Sequence, residues 1–86
     1  MLQNDMKKGQ MGVLKHTGWR FEIADNMKGN IRLATVWGYE EEMGSIYTHD
    51  IAYLIMPGGR QEPLEQTPAQ AKRSKAIQQS MKAMGW

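Results

Sequence analysis

Eighty-six residues suffice for one small domain whose single hydrophobic core lies near the lower size limit for independent folding. With 41% apolar and 23% charged residues the chain is too hydrophobic to be disordered, and the absence of cysteine excludes a disulfide framework and a thiolate zinc site. The net charge of +2 is unevenly divided: residues 1–66 hold seven Lys/Arg against nine Asp/Glu, whereas residues 67–86 hold Lys72, Arg73, Lys75 and Lys82 and no acid.

No apolar run approaches the roughly 20 residues that span a bilayer. The start, MLQNDMKKGQ, has no hydrophobic stretch after its lysines. A soluble, cytoplasmic protein with no signal peptide and no membrane contact is therefore expected.

Along the chain, the turn-prone Lys8-Gly9-Gln10 precedes a short first strand containing Met11, Val13 and Leu14, which ends at His16-Thr17-Gly18. Trp19, Phe21 and Ile23 then alternate with Arg20 and Glu22, the period of a strand with one buried face. The run from Asp25 to Asn30 is rich in turn formers and reads as a hairpin connection. Ile31, Leu33, Val36 and Trp37 mark a third, long strand running toward Tyr39. After Glu40, Glu41 and Glu42 the pattern breaks at Gly44-Ser45, resumes at Ile46-Tyr47-Thr48, and gives a last strand from Ile51 to Met56, closed by Pro57-Gly58-Gly59.

Five short strands in about 50 residues imply a small antiparallel barrel, since closure removes the exposed edges of so small a sheet. Residues 1–58 form this barrel, residues 59–67 a polar linker, and residues 68–84 a basic amphipathic C-terminal α-helix. Its start is marked by Thr67-Pro68-Ala69-Gln70, which has the form of a capping box with proline at the first helical position. At 100° per residue, Ala69, Ala76, Ile77, Ser80, Met81 and Met84 share one arc and Lys72, Lys75 and Lys82 another, with Arg73 intruding on the apolar side.

The segment from Lys8 to Lys15 (KGQMGVLK), followed by the Trp-Phe-Ile strand, resembles the opening of a KOW-type SH3-like barrel. VWGYEEEMGSIYTHDIAYLI likewise resembles the closing part of small SH3-like and Sm-like proteins carried by phages and in marine metagenomes. The resemblance spans residues 8–56 and implies a strongly bent five-stranded barrel of a kind that serves RNA, DNA or protein contacts. An Sm-like chain carries its helix before the barrel, whereas the helix here follows it. Gly59-Arg60 reverses the order of the Arg-Gly pair that marks the second Sm signature.

His49, Asp50 and one of the three glutamates have metal-binding side chains, but adjacent strand residues point to opposite faces and do not converge on one ion without a bend. With two histidines, no cysteine and no phosphate-binding glycine loop, no enzymatic activity and no cofactor are expected. Two binding functions remain. One is RNA or single-stranded DNA recognition, with exposed Tyr39 and Tyr47 as stacking platforms and Lys15, Arg20, Arg32, Lys72, Arg73, Lys75 and Lys82 as phosphate contacts. The other is a protein-interaction or assembly module without nucleic-acid binding, self-associating into a homo-oligomer through the Ala/Met stripe and the acidic body against the basic tail. In both, Trp19, Phe21, Trp37 and Tyr53 are expected to form the core.

Overall fold

The computed structural model describes residues 1–85. The alternating patterns become strands β1 (Met11–Leu14), β2 (Arg20–Ile23), β3 (Ile31–Trp37), β4 (Glu41–Tyr47) and β5 (Ile51–Ile55), joined by a two-residue β6 (Gln61–Glu62) and helix α1 (Pro68–Ala83). All pair antiparallel in one sheet of order β4-β3-β2-β1-β5-β6. Two features differ from the expected five-stranded closed barrel. Gln61 and Glu62 add a sixth strand by pairing with Ile55 and Leu54, and among the described residues no ladder joins β4 to β6, so the sheet is open.

One face of the sheet makes the core. Phe21 and Ile23 from β2, Ala34 from β3, Ile46 from β4, and Ile51 and Leu54 from β5 meet Leu14 and the N-terminal Met6. Phe21 fits because Gly12 lies opposite it: a Cβ at Gly12 would sit 2.5 Å from the Phe21 ring and 2.8 Å from the Tyr53 carbonyl oxygen. Trp37 does not belong to this core. On β3 the inward positions are Arg32 and Ala34, while Ile31, Leu33 and Trp37 face outward and are exposed. Trp19 and Tyr53 are half-buried. Gly44-Ser45 does not interrupt pairing either, since Gly44 opposes Ala34 and Ser45 opposes Leu33 inside a continuous β4.

Segment 59–67 is fastened at both ends of its course. Beyond β6, Leu2 bridges Glu65 in parallel, the Gln3 amide donates to the Glu65 carbonyl at 2.8 Å, and the Glu65 amide donates to the Met1 carbonyl at 2.8 Å. The capping box is present: Gln70 N–H donates to Thr67 Oγ1 at 3.2 Å and Thr67 N–H to Gln70 Oε1 at 2.9 Å. Proline at the first helical position lacks an N–H donor where the helix offers no acceptor for one.

Helix α1 is docked by polar side chains. Asn30 Nδ2 donates to Ser74 Oγ and to the Gln70 carbonyl, both at 2.8 Å. Gln66 Nε2 reaches Ser74 Oγ at 2.9 Å and Gln3 Oε1 at 2.8 Å, and Gln3 Nε2 returns to Asn30 Oδ1 at 2.8 Å. Gln3, Asn30 and Ser74 are buried, so each supplies the partner that burial of the others requires. No helix among the described residues is long and apolar enough to cross a membrane.

Candidate nucleic-acid interface

The path from β4 to β5 turns through a single 3-10 turn, Thr48–Asp50. Thr48 points inward and is buried, which leaves Tyr47 and His49 on its outer side. Their rings stack with centroids 5.3 Å apart and planes at 24°. The turn is fixed to the end of β1, because Lys15 N–H donates to the Asp50 carbonyl at 2.6 Å and Asp50 Oδ1 accepts from His16 N–H at 3.0 Å.

Helix α1 packs beside this turn and creates a depression on each side of the stacked pair. One is a cleft of about 410 Å³ lined by Lys15, His49 and Lys75 together with Thr48, Ser74 and Gln78. The other is a groove of about 240 Å³ in which Tyr47 and Ile31 face Arg73, Ile77 and Met81 of α1. Ion pairs among the described residues converge on Glu62, from the N-terminal amine and Arg60, so Lys15, Arg73 and Lys75 have no carboxylate partner. The charge of these cations therefore faces solvent rather than a neighbouring carboxylate.

His49 is held below the usual histidine pKa, chiefly by burial; Asp50 opposes this shift and Lys15 adds to it. Its Nδ1 is sealed from solvent and lacks a hydrogen-bond partner, so protonating the ring would place charge on an unsupported group. A neutral imidazole stacked on Tyr47 extends an aromatic surface without a fixed charge.

The structure brings together only part of the residue set expected from the sequence. Lys15, Tyr47, Arg73 and Lys75 gather around the turn. Arg32 is a correction: it is 1% exposed, and its guanidinium donates to the carbonyls of Gly29, Met6 and Gln3 at 2.9, 3.3 and 3.2 Å, which leaves it no reach to a surface phosphate. Burial lowers its pKa, and nearby Asp25 counteracts this. Arg20 lies opposite Trp37 on the outer face of the sheet. Lys72 and Lys82 are exposed on α1 but line neither depression.

Tyr39 lies beyond the opposite end of β4 from Tyr47, a strand that itself rises about 20 Å from Glu41 to Tyr47. It stands beside Glu40 and Glu42, so the two tyrosines do not form one aromatic-basic site. Sequence reasoning missed His49 as a partner of Tyr47. The available signal was two rings at i and i+2 flanking an inward Thr48. No group of three or more His, Asp or Glu positioned to hold a metal occurs among the described residues.

Compared with known proteins, the chain matches no family, no curated protein and no solved structure.

Proposed function

We propose that this protein is a non-enzymatic binding module of SH3-like barrel type that takes single-stranded RNA or DNA at the Tyr47–His49 turn. The barrel reading is supported by the pairing of β1 with both β2 and β5, which brings the first and fifth strands side by side as a small barrel requires. The observation that carries the function is the stacked Tyr47–His49 pair set between Lys15 and Lys75 on one side and Arg73 on the other. Aromatic faces accept any base by stacking, and lysine or arginine at the flanks neutralises backbone phosphates.

The test uses labelled single-stranded RNA and DNA with the full chain. Binding should weaken steeply as salt rises, and neutralising Lys15 and Lys75 together should weaken it further. Absence of binding at low salt removes the reading. Point substitutions are preferable to deletion of residues 67–86, because Ser74 and Gln66 tie this segment to the body through buried hydrogen bonds.

A second reading, self-association, is favoured by the seven-residue β4. It is an edge strand without proline whose outward Met43, opposite Thr35, is exposed on the same face as Leu33 of β3. Sedimentation showing a monomer at high concentration and low salt eliminates it.

A further inference from the structure

The end of β4 remote from the candidate interface carries a second, chemically different pocket. Trp19, Val36, Gly38, Tyr39, Glu40 and Glu42 enclose about 170 Å³ at the β3–β4 turn. Gly38 makes the enclosure possible: a Cβ there would fall 2.6 Å from Trp19 ring carbons, so only glycine lets the indole lie against the turn backbone. Tyr39 then meets Trp19 edge-on, with ring centroids 5.6 Å apart and planes at 75°. Apart from that contact Tyr39 stands in water, at 98% exposure.

The geometry points to this pocket as a site for a weakly hydrated organic cation, a guanidinium or an alkylated ammonium. With Tyr39 edge-on to Trp19 and almost fully exposed, its ring keeps a negative face open beside the indole, and the attraction of a cation seated there grows as the ligand and rings exclude water. Glu40 and Glu42 add negative charge, and neither belongs to an ion pair among the described residues. No Lys or Arg lines the pocket. Arg20, adjacent in sequence to Trp19, lies opposite Trp37 on the other face of the sheet from Val36 and Glu42. The same charge repels phosphate, so this site is independent of the one at Tyr47. Its volume fits a cationic head with a short alkyl stem and falls below the roughly 300 Å³ at which drug-sized ligand pockets begin.

The cation belongs either to a side chain of a protein partner or to a free small molecule, and two probes separate these sources. Tetramethylammonium and a short neutral-flanked peptide with a central arginine are titrated into the full chain, following the Trp19 indole and Tyr39 amide by NMR, with sodium chloride at equal ionic strength as the control. Saturable shifts at both residues with the organic cations, absent with sodium, are expected. Tyr39→Ala and Glu42→Gln should each weaken binding by up to roughly tenfold, as expected for losing a cation–aromatic or charge contact of this kind. Both residues are exposed, so the fold should survive, and an unchanged melt verifies this. Tighter binding of the peptide than of tetramethylammonium identifies a guanidinium side chain of a protein as the ligand, and the reverse identifies a free alkylated ammonium. Shifts that match the sodium control, or affinities untouched by both variants, overturn the proposal.

Discussion

Asn30 and Ser74 lie 44 positions apart and share a buried hydrogen bond of 2.8 Å, which joins the start of β3 to the middle of α1. Because Ser74 Oγ also accepts from Gln66, losing either partner leaves buried polar groups unmatched. Asn30→Leu or Ser74→Val should therefore cost about 1–3 kcal/mol and loosen the helix. Limited trypsinolysis after Lys72, Arg73 and Lys75 should accelerate severalfold while the sheet melts cooperatively. Unchanged cleavage would show that the helix is held by something else.

Arg32 is a structural cation. Its planar fork serves three carbonyls in different directions, which an ammonium cannot reproduce. Arg32→Lys should lower stability by about 2 kcal/mol, on the scale of losing hydrogen bonds to a charged group. Chemical denaturation measures this. Under the proposed function, the salt dependence of nucleic-acid binding should not change, because the side chain does not reach the surface.

Phe21 and Trp37 should respond oppositely to truncation. Phe21 is fully buried, so Phe21→Ala should cost about 3–5 kcal/mol, comparable with the whole stability of a small domain. Trp37 is exposed on the outer face, and Trp37→Ala should cost about 1 kcal/mol or less. Gly12→Ala should destabilise as well, since the added methyl meets both the Phe21 ring and a backbone carbonyl. Equal melting temperatures for the Phe21 and Trp37 variants would contradict the placement of the core.

Stability should fall on acidification through His49. Its folded pKa lies below the unfolded value of about 6.5, so between the two values the unfolded chain binds more protons. The contribution is complete above the unfolded value, declines as pH drops toward the folded one, and is constant below it. The charges facing the ring are Asp50, Lys15 and, across the cleft, Lys75. His49→Gln should flatten the fall in melting temperature as pH drops below the unfolded value of about 6.5, relative to the parent. An identical pH profile refutes the assignment.

Neutralising cations one at a time should separate the two ends of the basic set. Lys15→Gln, Lys75→Gln and Arg73→Gln should each reduce the slope of log affinity against log salt by about 0.7 per phosphate contact on a single strand. Lys72→Gln and Lys82→Gln, which line neither depression, should reduce it less. A uniform response from all five variants would mean nonspecific attraction to the helix in place of a defined site.

Much of the fold was legible because periodicity is local. The alternation of Trp19 to Ile23 locates β2, and Thr67-Pro68-Ala69-Gln70 locates the start of α1 to the residue. Only Gly12, set against Phe21, and Gly38, set against Trp19, report close approach, and their partners are remote in sequence. On β3 hydrophobicity misled: Ile31, Leu33 and Trp37 look like a core stripe, yet their register turns Arg32 and Ala34 inward. The candidate interface was half legible, since exposed lysines and aromatic residues can be counted but their neighbours cannot.

By itself the sequence determined a mainly β chain with a basic helix at its end, because strand period, turn residues and caps are properties of adjacent positions. The tertiary structure decided that β6 lengthens the sheet, that Arg32 is buried, and that Tyr47 joins His49 and the helix cations while Tyr39 joins Trp19 and two acids. The reason is physical: strand order and helix docking bring distant segments together, and only that proximity decides whether a charged or aromatic side chain fills a core, balances a neighbour or faces a ligand.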